Sequence, residues 1–194
     1  MARPREFDVD AVLDRAMRLF WERGYQATSL DDLLEATGLS KQSLYNAFGG
    51  KRELFLKALD LYRCQRLPAL RELLAGSGRA RALVERAVRE AAERKDPREC
   101  PLGCLMANTA LELGSHDPEI AAEVRKMMLG YEKILSETIA RGQREGEITT
   151  RHTSSVIAQS LRNTLDGVAI LQKAGASSQR IRAVVDMALD SIRA

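Results

Sequence analysis

The residues best suited to recognise another molecule lie in one polar stretch from Thr28 to Lys51, T-S-L-D-D-L-L-E-A-T-G-L-S-K-Q-S-L-Y-N-A-F-G-G-K. Within it, Lys41, Gln42 and Ser43 bring three hydrogen-bonding side chains into consecutive positions. A glutamine amide suits adenine and a lysine suits the acceptors of guanine, each such contact giving about 1–3 kcal/mol of discrimination. These residue types therefore predict hydrogen bonding to the edges of nucleic-acid bases.

Two short helices are expected to position these side chains. The first begins after Thr28 and Ser29, each of which can cap it, with Asp31 and Asp32 at the spacing of a capping box. The turn at 37–39 ends this helix, because its glycine accepts a positive φ at no steric cost. A second helix then begins with Ser40 as its cap and has three apolar anchors: Leu44, Ala47 and Phe48. This pattern is typical of a helix-turn-helix whose second helix enters a DNA major groove.

Further polar residues around this motif suit the phosphate backbone. Tyr45 and Asn46 are expected to bond phosphate oxygens, as are Thr28 or Ser29 and Lys51 at helix starts, where free amides favour an anion. An amino-terminal arm with two arginines can reach the minor groove. Taken singly, Lys41 and Lys51 are equally compatible with ordinary solvated charges. The complete set of predicted DNA contacts is Arg3, Arg5, Thr28, Ser29, Ser40, Lys41, Gln42, Ser43, Tyr45, Asn46 and Lys51.

The composition of the chain shows no large excess of basic residues. The 194 residues carry a net charge of only +3, and the first 57 contain nine Lys or Arg against nine Asp or Glu. The DNA prediction therefore depends on where charges are placed and not on a basic excess. The chain has no apolar run of membrane-spanning length and no apolar signal segment at its start, and its three cysteines suit a reducing compartment. A soluble cytoplasmic protein without a membrane partner is expected.

Helical periodicity extends along the rest of the chain. Apolar residues recur at helical intervals in about nine segments, and no alternating strand pattern persists. A long helix is expected to open at Lys51, and Pro68 is expected to end or kink it, since proline removes a helical hydrogen bond. The predicted fold class is all-α, with a three-helix head and a helical-bundle body.

Three segments near the amino terminus resemble the TetR/AcrR family of transcriptional regulators. They are R-P-R-E-F-D at 3–8, L-F-W-E-R-G-Y-Q-A-T-S at 19–29 and G-L-S-K-Q-S-L-Y-N-A-F-G-G-K-R-E-L-F at 38–55. One departure is Asn46, where many members have histidine. The resemblance implies a homodimer with a DNA-binding domain over residues 1–55 and a ligand-binding and dimerisation domain over residues 56–194. A fourth helix would connect the two domains.

The body contains residues suited to an apolar ligand. Methionine is flexible and polarisable, and therefore suits a cavity that accepts varied apolar molecules, although methionines at helical spacing equally fit plain core. The existence of a pocket is implied mainly by the resemblance. The predicted ligand-binding residues are Met106, Asn108, Thr109, Met127, Met128, Tyr131, Leu161 and Leu165.

Two cysteines offer an alternative kind of sensor. Cys104 is expected in the first turn of a helix that Pro101 opens, where amide dipoles lower a thiol pKa. Cys100 and Cys104 would then sense oxidants or electrophiles; alternatively, Cys104 is a small buried residue and Cys100 a loop residue. With His116 and His152 as the only imidazoles, no metal site and no cofactor are expected.

The last two helices are predicted to form the dimer interface. Two such helices from each subunit would make a four-helix bundle across a twofold axis, whereas the alternative is ordinary packing within one subunit. The residues assigned to this interface are Val156, Gln159, Ser160, Asn163, Gly167, Ile181, Val184, Val185, Ala188 and Leu189.

These observations favour a homodimeric repressor that a small, apolar molecule releases from a palindromic operator in double-stranded DNA. A thiol-sensing repressor is the first alternative, and a helical ligand-binding protein without DNA function is the second. An enzyme is not expected, because the sequence contains no paired carboxylates on a shared face, no Ser/His/Asp arrangement and no phosphate loop.

Overall fold

A computed structural model describes residues 7–93 and 103–194, and over these ranges the chain forms nine α-helices. No strand occurs there apart from an isolated backbone pairing of Ile148 with Arg193. The all-α prediction is therefore confirmed. The helices are α1 (Val9–Arg23), α2 (Leu30–Thr37), α3 (Lys41–Phe48), α4 (Lys51–Ala75), α5 (Ala80–Ala92), α6 (Leu105–Leu113), α7 (Pro118–Arg144), α8 (Ser154–Lys173) and α9 (Ser178–Asp190).

Local sequence signals define the helix-turn-helix. The Ser29 hydroxyl accepts from the amide of Asp32 at 3.0 Å, and the Asp32 carboxylate accepts from the Ser29 amide at 2.8 Å, completing a capping box at the start of α2. Gly38 ends α2 in the left-handed region at φ 71°. The Ser40 hydroxyl then accepts from the amide of Ser43 at 3.1 Å, which caps α3. Short-range polar contacts thus fix the turn between the two helices.

The core of the head continues into the body. Phe20, Leu33, Leu44 and Phe55 are buried together, and the same apolar cluster extends to α6 and the first turns of α7. A second cluster holds α4, α5, α7, α8 and α9 together around Leu135 and other buried aliphatic residues. Movement of α6 or of the start of α7 must therefore disturb contacts that the head also uses.

Pro68 does not end α4, which continues from Lys51 to Ala75. The prediction that the helix ends at Pro68 is therefore wrong, and the alternative, a kink at Pro68, stays a prediction. Proline has no backbone N–H, so Pro68 cannot donate a hydrogen bond to the carbonyl of Cys64. Both residues are exposed, and a water molecule can donate to that carbonyl instead. Just before the proline, Leu67 packs against α7 at Gly130, where an added Cβ would lie 2.5 Å from Leu67 Cδ1. Close packing on α7 supports the helix across the proline.

Within residues 7–93 and 103–194, no helix combines the length and the apolar character that a bilayer span requires.

Candidate nucleic-acid interface and regulatory cavity

The outer face of α3 carries the residues predicted to contact DNA. Leu44 and Phe48 are buried and anchor the helix to the head, which turns Lys41, Gln42, Tyr45 and Asn46 outward. All four outward residues are exposed, Tyr45 by 45% despite its aromatic ring. An exposed helix face of long polar side chains matches the requirements of major-groove binding.

Contacts within α3 order this face. The side-chain amide of Gln42 donates to Asn46 Oδ1 at 2.8 Å, one turn along the helix. Ser43 is only partly exposed, and its hydroxyl lies 2.9 Å from that of Ser40. Ser40 itself is exposed at the amino-terminal end of α3, beside backbone amides that favour a phosphate. The predicted base-contacting and phosphate-contacting residues of α3 therefore occupy one continuous surface.

Two of the predicted phosphate contacts at the start of α2 are corrected by the structure. Thr28 is fully buried, and its hydroxyl donates to the carbonyl of Gly24 at 2.6 Å. Ser29 is exposed, but its amide and its hydroxyl both donate to the Asp32 carboxylate. A phosphate at Ser29 would meet this carboxylate and find both donors occupied. Neither residue is therefore available as a phosphate ligand in this conformation.

Lys51 is partly buried at the start of α4, where no side chain caps the helix. Its ammonium group sits 4.3 Å from the centre of the Tyr25 ring, a cation–π contact. Partial burial lowers the pKa of Lys51.

Arg3 and Arg5, the predicted DNA contacts of the amino-terminal arm, lie outside the described residues, as does Cys100.

Acid is expected to destabilise the head through Asp32. Hydrogen bonds from Ser29 hold the pKa of Asp32 below its ordinary value of 3.8. A depressed pKa contributes stability that is present above the ordinary value and is lost as the pH falls through the folded-state pKa. The difference in melting temperature between the wild type and Asp32→Asn should thus shrink below about pH 4. Melts from neutral pH downward test this, with Asp31→Asn as the control in the same turn; a pH-independent difference for Asp32→Asn would contradict it.

A cavity of about 380 Å³ opens behind the head. Its wall includes residues from α1, α4, α5, α6, α7 and α8. Five of the residues predicted for ligand binding are on this wall: Met106, Met127, Met128, Tyr131 and Leu165. The cavity is large enough for a small organic molecule and mainly apolar, as ligand sites generally are.

The other three predicted ligand residues are not on the cavity wall. Thr109 is buried and donates its hydroxyl to the carbonyl of Leu105 at 2.9 Å, while Leu161 belongs to the second apolar cluster. Asn108 is partly buried, and its amide nitrogen has no hydrogen-bond partner among the described residues. These three residues lie on helix faces that do not line the cavity, and spacing along the sequence alone does not reveal which face lines it.

Aromatic and charged wall residues were missed by the sequence analysis. Trp21 comes from α1 of the head and Tyr62 from α4, with their rings 5.0 Å apart in an edge-on arrangement. Arg162 pairs with Glu132 at 2.9 Å and with Asp166 at 2.6 Å, and burial raises the pKa of Asp166. No short-range signal identifies these residues, because only the tertiary fold brings α1 and α8 to one cavity.

Tyr131 is a wall residue with an unsatisfied polar group. Its hydroxyl is buried and has no hydrogen-bond partner within the described residues. Burial raises the pKa of Tyr131, so the phenol stays neutral and able to donate a hydrogen bond. A buried group without a partner costs about 1–3 kcal/mol, which a ligand that carries an acceptor would offset.

Replacing Tyr131 by Phe should therefore stabilise the ligand-free protein. The change removes an unsatisfied hydroxyl and keeps the ring, so the free energy of unfolding should rise by about 1 kcal/mol. Denaturant titration measures this, with Tyr62→Phe as the control, because the Tyr62 hydroxyl donates to Cys104 Sγ at 3.7 Å. A loss of stability in Tyr131→Phe would show that its hydroxyl has a favourable partner in solution.

The position and the thiol pKa of Cys104 both differ from those predicted from the sequence. It is the N-cap residue of α6, one position before the first turn, and it is largely shielded from solvent. Desolvation raises the pKa of the Cys104 thiol, the reverse of the expected lowering, although amides of α6 and the Tyr62 hydroxyl oppose the rise. Burial outweighs the helix amides, so the thiolate that a reactive sensor needs is disfavoured. The described residues contain no group of three or more potential metal-ligating side chains.

The predicted dimer surface on α8 and α9 is partly corrected. Ile181, Val185 and Leu189 are buried within the chain, in the cluster shared by α5, α7 and α8. They therefore hold α9 to its own subunit and are not free to meet a partner. Residues that remain accessible are Val156, Gln159, Ser160, Asn163, Gly167 and Val184, with Ala188 partly buried.

Two exposed apolar residues on these helices were missed. Ile170 on α8 is 51% exposed and Met187 on α9 is 77% exposed. Both fall one turn away from predicted positions, where the helical phase could not be fixed from the sequence. Together with Val156 and Val184 they form the exposed apolar part of the last two helices.

The amino-terminal residues 12–58 match the model of bacterial regulatory proteins of the tetR family. Residues 76–188 match the model of the tetracyclin repressor-like C-terminal domain. The two matches cover the helix-turn-helix and most of the body.

Relatives and solved structures of full length agree with these models. The chain is 32% identical over 190 residues to the HTH-type transcriptional regulator YezE of Bacillus subtilis, covering 97% of this chain and 98% of that protein. It is 32% identical over 189 residues to the HTH-type transcriptional repressor ComR of Escherichia coli, covering 96% and 90%. A cysteine-substituted form of the TetR family regulator CifR, solved with 26-bp double-strand operator DNA, has a TM-score of 0.87 at 32% identity, covering 98% and 100%. On this evidence the chain belongs to the TetR family of helix-turn-helix transcriptional regulators.

Proposed function

We propose that this chain is a homodimeric repressor that binds a palindromic operator and leaves it when a small apolar molecule enters the cavity. The observation that carries the proposal is the anchored α3 helix with its exposed polar face, joined through one continuous core to a cavity in the body. ComR and BdcR of Escherichia coli, both described as HTH-type transcriptional repressors, support the direction of regulation.

The DNA contacts are assigned from exposure and chemistry. Lys41, Gln42 and Ser43 read base edges near the start of α3, while Tyr45 and Asn46 bond phosphate. Ser40 and Lys51 add phosphate contacts at two helix starts, and the arm with Arg3 and Arg5 reaches the minor groove. Two copies of α3 would then occupy successive major grooves about 34–36 Å apart.

The dimer is proposed to form through the exposed faces of α8 and α9. Exposed Ile170 and Met187 would be covered by a partner copy, and small or polar residues such as Ser160 and Gly167 allow close approach. A single head reads too few bases for useful specificity, so the dimer is part of the proposed function.

The ligand is proposed to be apolar with one hydrogen-bond acceptor. Methionine and aromatic side chains supply the apolar wall, and the Tyr131 hydroxyl supplies a donor without a partner. Ligand would favour a conformer in which the two heads no longer fit the operator; a difference of a few kcal/mol in affinity for the two conformers is sufficient. In this proposal residues 1–55 read DNA, residues 56–194 bind ligand and partner, and the protein acts in the compartment that holds the DNA, the cytoplasm.

A band-shift assay tests the proposal with a DNA fragment from upstream of the protein's own gene. We expect a discrete complex that survives excess unrelated DNA and weakens steeply as salt rises, since bound phosphates release counterions. If unrelated DNA at an equal concentration abolishes binding, that result would contradict sequence-specific regulation. A complete absence of DNA binding would favour the rival ligand-binding protein.

A further inference from the structure

Glu112, near the end of α6, bonds the backbone of the head across a wide separation in sequence. Its carboxylate accepts from the amide of Tyr25 at 2.9 Å through Oε2 and from the amide of Gln26 at 2.6 Å through Oε1. We call these two hydrogen bonds the Glu112 clasp. Charge-assisted bonds of this kind are stronger than neutral ones, and a carboxylate that spans two consecutive amides also fixes their orientation.

The clasped turn leads directly into the helix-turn-helix. Gly24 ends α1 with φ 87°, and an added Cβ there would lie 2.9 Å from Glu112 Oε2. Thr28 closes the turn by donating its hydroxyl to the Gly24 carbonyl, and α2 begins after the Ser29 cap that follows. The position of this turn therefore sets where α2 begins, and α3 follows α2 through a turn of three residues.

The other end of α6 is bonded to the same part of the head and also borders the cavity. The Trp21 indole donates to the carbonyl of Gly103 at 3.3 Å, immediately before α6. Gly103, Cys104 and Met106 are all on the cavity wall, as is Trp21. The helix is nine residues long, or about 13 Å. Its beginning is thus tied to the last turn of α1, and its end to the turn that follows α1.

A ligand in the cavity must contact the beginning of α6, while the clasp is at its end. A short helix moves as a rigid body, because its backbone bonds are internal. A shift at Gly103 or Met106 is therefore delivered to the Tyr25 and Gln26 amides by Glu112. Nearby, Arg52 bonds Asp117 and Glu119 at the start of α7, which holds the start of α4 to the same corner of the body.

We propose that Glu112 is a positioning residue that couples the cavity to the helix-turn-helix by fixing the α1–α2 turn relative to α6. This inference rests on the proposed function, since it names the route by which the cavity controls DNA binding. It assigns to Glu112 a role in operator affinity, whereas a purely local role would affect only the turn itself.

The first test compares Glu112→Gln with the matched control Glu137→Gln. Gln keeps the size of the side chain but turns a donor toward one of the two amides. Among the described residues, Glu137 is paired with Arg71 alone, at 3.6 Å on the surface. In Glu112→Gln we expect the Tyr25 and Gln26 amides to exchange about tenfold faster or more. Operator affinity should fall about fivefold or more, because the head is less pre-organised. Thermal melts of both full-length variants check that each is folded.

Faster exchange with unchanged operator affinity would overturn the proposal, because the clasp would then be local structure only. Unchanged exchange would show that the two bonds do not form in solution, which also overturns it. If the wild type binds no operator, the proposed function fails before the clasp is tested, so the two failures are distinguishable.

A second test measures coupling without knowledge of the ligand. Ala69→Trp, at the exposed rim of the cavity wall on α4, places bulk where a ligand would be. We expect it to lower operator affinity about fivefold or more in the wild type and less than about twofold when combined with Glu112→Gln. An undiminished effect in the combined variant would exclude the clasp as the route. No effect in either background would reject control by the cavity, and this inference with it.

Discussion

Replacing Lys41 and Gln42 together by alanine should weaken operator binding at least about 100-fold. Each removes a hydrogen-bonding side chain from the exposed face of α3, and each specific base contact is worth about 1–3 kcal/mol. Because both lie on the outer surface and neither belongs to the buried anchor of the helix, the fold should persist. Fluorescence anisotropy with a labelled operator measures the loss, and circular dichroism measures the fold.

The matched control replaces the same residue types on the body. Gln65 on α4 and Lys133 on α7 are both exposed, so their double alanine variant removes equal charge and similar surface without touching α3. Its operator affinity should stay within about twofold of the wild type. Equal losses in the two double variants would mean that overall charge, and not the α3 face, determines binding.

Charging the exposed apolar residues of α8 and α9 should separate the dimer. In the variant Ile170→Glu with Met187→Glu, two carboxylates would enter the proposed interface, where unpaired charges are costly. We expect the mass of a single chain by light scattering. We also expect operator affinity to fall at least about 100-fold, since only one half-site is bound at a time.

The control for this variant is Leu129→Glu, where an apolar side chain is 64% exposed on α7 and so belongs to neither α8 nor α9. It should remain dimeric and bind the operator normally. A dimer in the double variant, or a monomer in Leu129→Glu, would place the interface elsewhere.

Local structure was predictable wherever a short-range rule operates. The caps at Ser29 and Ser40 and the positive φ of Gly38 follow from residues within four positions of each other. The all-helical fold follows from periodicity over each segment. These are also the features that position α3, so the candidate DNA surface was largely predictable.

The parts that depend on tertiary packing were not predictable from the sequence. Thr28 is as good a cap as Ser29 by type, but its hydroxyl bonds the carbonyl of Gly24, and the residue is buried. The same limit explains why α4 continues past Pro68, and why Val185 of α9 faces the interior while Met187 faces outward. Trp21 lies on the cavity wall because α1 packs beside α6, a contact that the sequence does not reveal.

Cys104 illustrates how magnitudes decide between opposing effects. Amides of α6 and the Tyr62 hydroxyl favour its thiolate, but desolvation is the larger influence and raises the pKa. The sequence shows the nearby helix start but not the depth of burial. The same reasoning favours a cavity that recognises its ligand through contact and hydrogen bonding over one that relies on a reactive thiolate.

Methylation interference on the operator shows whether a dimer reads DNA through two α3 helices in the major groove. Methyl groups at guanine N7 fill the major groove, where α3 is proposed to lie, and leave the minor groove clear. We expect N7 methylation to block binding at symmetric positions in two half-sites, with centres about one helical turn apart. Binding that tolerates N7 methylation throughout the site, or interference confined to one half-site, would contradict the claim that a dimer reads DNA through two α3 helices.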